Sequence, residues 1–108
     1  MTENIPVPTD VNGFLVNLEE WTPTIAALLA EQEEIQLTKE HWAVVFFLRQ
    51  YYSQHQKTPG QKVLVKHLAN ILNDPHKGNS LYLHTLFPKG PMRQASKIAG
   101  LPKPTRCL

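Results

Sequence analysis

The sequence predicts a mostly α-helical, α+β fold: a compact orthogonal bundle of about five helices with a small N-terminal β-hairpin and a flexible C-terminal arm. Three observations lead to this prediction. Apolar residues recur at helical spacing along most of the chain, helix-capping residues precede these runs, and two prolines interrupt the last eight residues. We expect residues 1–100 to form a single helical domain and residues 101–108 to form the arm.

A β-hairpin is expected near the N-terminus. Two short apolar runs, residues 5–7 and 14–16, flank the turn signal Asn12-Gly13. Pro6 would confine the first strand to a sheet edge, because proline has no N–H to donate. A two-stranded hairpin is unstable alone, so it must pack on the helices.

The first helix opens with Thr22 as N-cap and Pro23 at its first position. Acidic residues crowd its other end, namely Glu31, Glu33 and Glu34. Because negative charge at a helix C-terminus opposes the helix dipole, we expect this end to be frayed and exposed.

Four more helices follow. The second starts after the N-cap Thr38, runs to about residue 54 and is apolar around most of its circumference, so we expect it to be the buried central helix. The third begins in the capping-box pattern of residues 58–61 and ends at about residue 72. A short fourth helix is expected at residues 80–86, and the last one at residues 91–100.

Charge is divided sharply along the chain. Residues 1–40 hold eight acidic residues and one basic residue, whereas residues 41–108 hold one acidic residue and ten basic ones, which gives −7 against +9. The division predicts an electropositive face that binds RNA or an acidic protein partner. Alternatively, the electrostatic fields of the acidic and basic parts partly cancel when the chain folds. Charge alone leaves both alternatives open.

Composition narrows the class of protein. The longest apolar run, residues 43–48, is far shorter than the roughly 20 residues of a membrane span, so no membrane association is expected. No secretory signal is expected either, and the single cysteine, Cys107, fits a reducing cytoplasm. The histidines form no pair at helical spacing, so neither a metal site nor a cofactor is predicted.

The last eight residues hold the candidate catalytic residue. Pro102 and Pro104 disfavour helix before them, so this stretch should be an extended arm with Cys107 near its tip. Five basic residues, located just before the last helix, on it and on the arm, are candidates for binding a partner or RNA: Lys89, Arg93, Lys97, Lys103 and Arg106. Cationic neighbours also favour the thiolate, which is the nucleophilic form of cysteine.

Two weaker signals leave other functions open. The loop at residues 77–80 (Lys-Gly-Asn-Ser) could hold a phosphate through backbone N–H groups, or could simply lead into a helix cap. The second and third helices could form a helix-turn-helix that displays Lys62, Lys66 and His67. A nucleic-acid-binding regulatory module is therefore an alternative.

Four stretches of the chain form a recognisable pattern: LTKEHW at 37–42, FLRQYY at 47–52, LFPKGP at 86–91 and QASKIAGLPKPTRC at 94–107. Through them nearly the whole chain resembles the DsrC/TusE family of sulfur carriers. It implies a compact helical domain with a C-terminal arm whose penultimate cysteine, here Cys107, accepts sulfane sulfur as a persulfide.

At one position the chain departs from the pattern of part of this family. Family members that work with dissimilatory sulfite reductase carry a second arm cysteine at the position of Ser96. The single-cysteine pattern is similar to the TusE group, which implies a cytoplasmic sulfurtransferase. Such a protein receives sulfur from a TusBCD-like donor complex and delivers it to an MnmA-like tRNA thiouridylase with tRNA bound, for 2-thiolation of the wobble uridine. DsrC-like sulfur trafficking without a role in tRNA thiolation is the alternative.

Overall fold

Five α-helices and two short 3-10 helices make up the computed structural model, which describes residues 5–104. The α-helices are α1 (Pro23–Gln32), α2 (Lys39–His55), α3 (Gln61–Leu72), α4 (Ser80–Leu86) and α5 (Pro91–Ile98), and the 3-10 helices are Leu18–Glu20 and Pro75–Lys77. The predicted mostly helical fold is confirmed. Among the described residues, no helix combines the length and apolar character needed to cross a bilayer.

Local capping explains where most helices begin. The Thr22 hydroxyl accepts a hydrogen bond from the Ile25 amide at 3.2 Å, and the Asn79 side chain accepts one from the Tyr82 amide at 2.8 Å. Each bond satisfies an amide that has no partner inside its helix. The sequence therefore predicts the starts of α1 and α4 correctly.

The start of α3 differs from the prediction. The helix begins at Gln61, and its N-cap is Gly60, which offers no side-chain hydrogen bond. Pro59, expected at the first helical position, is buried in the link before the helix. The predicted capping box at residues 58–61 does not form, because Gly60 rather than Thr58 is the N-cap.

The central position in the bundle belongs to α5 as much as to α2. Helix α5 packs against α1, α2 and α4, while α2 also packs against α3. Every residue from Gln94 to Leu101 is buried, whereas Phe46 of α2 is 51% exposed. Apolar character around α2 thus overstates its burial, because part of its aromatic surface faces solvent.

The predicted N-terminal hairpin is not confirmed. In the part of the chain that the structure describes, backbone pairing here is limited to one antiparallel bridge between Thr9 and Leu15. The Asp10 carboxylate closes the turn by accepting hydrogen bonds from the amides of Asn12 at 2.8 Å and Phe14 at 3.0 Å. Side-chain bonds of this kind compete with strand pairing, and two nearby prolines offer no N–H. A tight turn results.

Helix α5 ends in a Schellman motif. The amide of Gly100 donates to the Lys97 carbonyl at 3.0 Å, and the amide of Leu101 donates to the Ser96 carbonyl at 2.9 Å. Gly100 has a φ of +73°, and a Cβ there would lie 2.5 Å from Cδ1 of Trp21. Only glycine fits this position without displacing the tryptophan.

Replacing Gly100 by alanine should therefore destabilise the protein. We expect Gly100→Ala to lower the free energy of unfolding by about 2 kcal/mol or more, from positive-φ strain and the clash with Trp21. Urea denaturation followed by circular dichroism measures the change. Gly60→Ala is the control, because a Cβ there meets no atom within 4 Å. Equal effects of the two substitutions would contradict this account.

Candidate functional site

The candidate catalytic residue, Cys107, lies outside the described residues, as does Arg106. What the structure describes is the root of the predicted arm. Leu101 is buried, Pro102 and Lys103 are exposed, and Pro104 is half-buried. The chain therefore leaves the core directly after Leu101. Its division into a domain and an arm stays a prediction.

Two side chains hold the root of the arm in place. Arg49 donates from Nη1 to the Ala99 carbonyl at 2.7 Å, and Trp21 donates from Nε1 to the Ile98 carbonyl at 2.8 Å. The Arg49 guanidinium also stacks over the Trp21 ring, 4.1 Å from its centroid. These bonds satisfy carbonyls at the end of α5 that have no partner within the helix.

Electrostatics favour Arg49 at this position. A cation at a helix C-terminus interacts favourably with the negative end of the helix dipole. Burial lowers the pKa of Arg49, yet a guanidinium stays charged at neutral pH. Sequence reasoning missed this anchoring role. The one feature of the sequence that could have indicated it is that Arg49 is the only arginine among the apolar residues of α2.

A buried carboxylate joins α1 to α5. Glu33 follows the last residue of α1, and both of its oxygens accept hydrogen bonds from α5. Arg93 donates from Nη1 at 3.1 Å and Nη2 at 2.8 Å, Lys97 donates from Nζ at 2.8 Å, and Gln94 donates from Nε2 at 2.9 Å. We call these four residues the Glu33 cluster.

The cluster controls the ionisation of Glu33. Burial alone would raise the pKa of this carboxyl, but the hydrogen bonds from Arg93, Lys97 and Gln94 outweigh burial and lower the pKa to about 2. The Glu33 side chain is only 9% exposed. The prediction that this end of α1 is frayed and exposed is therefore wrong for Glu33, because cations from another helix compensate the unfavourable dipole.

The structure brings three of the five predicted basic residues together, facing the acidic end of α1. Arg93 and Lys97 bind Glu33, and Lys89 pairs with Glu34 at 2.8 Å on the surface. Lys97 is only 5% exposed. Lys103 lies apart from these three, on the described part of the arm. A binding role for the five residues stays a prediction.

Other cations remain available at the surface. Within residues 5–104, four lysines from the basic part of the chain form no ion pair: Lys57, Lys62, Lys66 and Lys103. Two of them, Lys57 and Lys103, line an open groove of about 500 Å³. The other lining residues are Tyr52, Gln56, Thr58, Pro59, Gly60, Gln61, Met92, Pro102 and Pro104. The groove thus lies beside the root of the arm.

The loop at residues 77–80 is better explained as structure than as a phosphate site. Lys77 pairs with Glu40 at 2.5 Å, and the Tyr82 hydroxyl donates to the same carboxylate. The Asn79 side chain caps α4, which has seven residues. A Cβ on Gly78 would lie 2.8 Å from Cβ of Ala69, so this glycine serves close packing.

The predicted helix-turn-helix surface is only partly present. Lys62 and Lys66 are exposed on α3, as expected. His67 is half-buried instead, and its ring packs against Phe47 with 5.4 Å between centroids. Of the three side chains expected to be displayed, two are.

Ser96 lies within α5 rather than on the arm. Its side chain is fully buried, and its hydroxyl has no hydrogen-bond partner among the described residues. The position implied for a second arm cysteine is therefore inside the bundle. This placement agrees with the predicted last helix at residues 91–100, since α5 runs from Pro91 to Ile98.

The fold and the site define a small helical domain that anchors the root of a proline-containing segment bearing one thiol. The chain belongs to the DsrC-like family, since the family model described as "DsrC like protein" matches residues 1–108. This confirms the family inferred from the sequence motifs.

Two relatives and one solved structure support the same family assignment. Sulfurtransferase TusE of Photorhabdus laumondii is 49% identical over 106 residues, which cover 98% of this chain and 95% of the relative. Sulfurtransferase TusE of Escherichia coli K12 is 46% identical over 106 residues, covering 98% and 96%. The NMR structure of Allochromatium vinosum DsrC has a TM-score of 0.82 and 47% identity, covering 92% of this chain and 88% of that one.

Removing the Arg49 anchor should loosen the root of the arm. We expect Arg49→Met to lower the free energy of unfolding by about 2 kcal/mol, since charge-assisted hydrogen bonding to the Ala99 carbonyl is lost. The amides of Gly100 and Leu101 should exchange with solvent faster, which NMR hydrogen exchange measures. Lys66→Met, on the exposed face of α3, should leave both quantities unchanged. Unaltered exchange in Arg49→Met would contradict the anchoring role.

Neutralising Glu33 should destabilise the fold above pH 4.5. Glu33→Gln leaves Lys97 buried without its counter-ion, at an expected cost of about 3 kcal/mol. Because the pKa of Glu33 falls from 4.5 to about 2 on folding, its contribution is complete above pH 4.5 and is lost as the pH falls towards 2.

The stability difference between wild type and Glu33→Gln should therefore narrow over that pH range. Denaturant unfolding at a series of pH values measures the difference. Glu34→Gln, which removes an exposed charge, should stay close to wild type throughout. A difference independent of pH would show that ionisation of Glu33 does not contribute.

Proposed function

We propose that this chain is a sulfurtransferase that carries sulfane sulfur as a persulfide on Cys107. The observation that carries the proposal is that the only cysteine follows an anchored helix end by a few residues, in a chain of the DsrC-like family. Relatives of nearly the same length as this chain bear the name sulfurtransferase TusE. Residues 101–108 then serve as the arm that presents the thiol.

The transfer requires two exchanges at Cys107. Its thiolate attacks the outer sulfur of a donor persulfide, the donor's S–S bond breaks, and the donor thiolate leaves. The acceptor thiolate then attacks the outer sulfur on Cys107, which regenerates the Cys107 thiolate. No net oxidation or reduction occurs, and neither metal nor cofactor is needed. Arg106 beside the thiol favours its ionised form.

The presence of a single thiol determines where the sulfur goes next. A second cysteine near Cys107 could expel the sulfur by closing a disulfide, and Ser96 has no thiol. The sulfur therefore passes to another protein. We propose that a TusBCD-like complex in the cytoplasm donates it and that an MnmA-like thiouridylase with bound tRNA accepts it for wobble-uridine 2-thiolation.

A second candidate function is DsrC-like sulfur trafficking that does not serve tRNA. The 47% identity to Allochromatium vinosum DsrC favours it. Ser96 counts against the form of this function that depends on two cysteines. Assay of the acceptor separates the candidates, since only the first yields thiolated tRNA.

Cys107→Ser should abolish sulfur acceptance and leave the fold intact. Intact-protein mass spectrometry after incubation with a cysteine desulfurase and the donor complex measures uptake: the wild-type chain should gain one sulfur atom and the variant none. Ser96→Ala, which retains Cys107, is the matched control and should take up sulfur like the wild type. Uptake of sulfur by Cys107→Ser would refute the proposal.

A further inference from the structure

The groove beside the root of the arm has the features of a docking surface. Its lining includes the buried Pro59 and the half-buried Met92 and Tyr52, which we call the floor of the groove. Methionine adapts its shape to a partner because its side chain is unbranched and flexible.

Charge at the groove is of one sign. Lys57 and Lys103 stand at its rim, are exposed, and form no ion pair with any described residue. Among residues 5–104, no acidic side chain lines the groove. This contrasts with Lys89, Arg93 and Lys97, whose charges are matched by Glu33 and Glu34, which follow α1. Among the described residues, unpaired positive charge therefore lies beside the arm rather than along α5.

The groove also lies next to the residues that lead to Cys107. One wall is the link between α2 and α3, and the other is residues 102–104, which lead directly to Cys107. A protein bound here is within reach of the thiol, because three residues in extended conformation span at most about 10 Å.

We propose that this groove docks an acidic segment of the protein that exchanges sulfur with Cys107. The inference rests on the proposed function and adds the surface and the chemistry of its partner. Acidic side chains of the segment pair with Lys57 and Lys103, and an apolar side chain between them rests on Met92 and Pro59. The match of an apolar floor to a charged rim is typical of protein interfaces.

The same features favour a protein rather than RNA as the occupant of the groove. Grooves that bind single-stranded RNA combine several phosphate contacts with aromatic side chains on which bases stack. In the described part of the lining, Tyr52 is the one aromatic residue, and it is half-buried. Two rim lysines and proline surfaces fit a short acidic peptide better.

Charge reversal at the rim tests the proposal. The double variant Lys57→Glu/Lys103→Glu is compared with Lys39→Glu/Lys66→Glu, which changes the same charge at exposed lysines outside the groove. Sulfur transfer is measured with the purified TusBCD-like donor and the MnmA-like acceptor, the latter with and without tRNA, at several salt concentrations. Thermal unfolding checks that both variants fold.

We expect the groove variant to raise KM for at least one protein partner by about tenfold at low salt, with kcat nearly unchanged. Its salt dependence should be shallower than that of wild type, since screened charge pairs are lost. The control variant should match wild type. Sulfur uptake by Cys107 at saturating donor stays intact, which separates failure of this inference from failure of the carrier function.

Three results would overturn the inference. Unchanged KM for both proteins would mean that neither docks here. A loss of tRNA affinity with unchanged KM for both proteins would assign the groove to RNA. A concentration-dependent dimer of the wild type that the groove variant lacks, again with unchanged KM, would assign it to a second copy of the chain.

Discussion

The ion cluster around Glu33 is the constraint on which the rest of the structure depends. It fastens the end of α1 to α5, and α5 in turn contacts α1, α2 and α4. A carboxylate at a helix C-terminus is unfavourable by itself, and a buried lysine is more so. Together with Arg93 and Gln94 they satisfy one another's charges and hydrogen bonds, which stabilises the packing of α1 against α5. The position of α5 then determines where the chain leaves the core.

The end of α5 is held in place and fixes the point at which the chain leaves the core. Arg49 and Trp21 bind the last carbonyls, and Gly100 turns the chain so that Leu101 is buried. Residues 102–104, the last ones described, therefore start from a fixed point at the surface of the helical bundle.

Local signals in the sequence predicted the fold well, and distant pairings could not be predicted. Thr22, Thr38 and Asn79 mark helix starts because a cap acts within three residues. Glu33 and Arg93 are sixty residues apart, and no spacing rule connects them. The turn at Asp10 was misjudged because its side chain competes with strand pairing. Cys107 as the working residue came from family motifs and its position, whereas the role of Arg49 required the path of the folded chain.

The contact between Gly13 and Lys97 has a consequence for substitutions at either position. A Cβ at Gly13 would lie 2.9 Å from Nζ of Lys97, so the N-terminal turn is packed directly on the buried ammonium. A side chain at position 13 displaces the lysine, and a shorter side chain at position 97 leaves the Glu33 carboxylate short of a partner. Gly13, Lys97 and Glu33 are therefore linked by packing and by charge, so a change at one of these positions alters the surroundings of the other two.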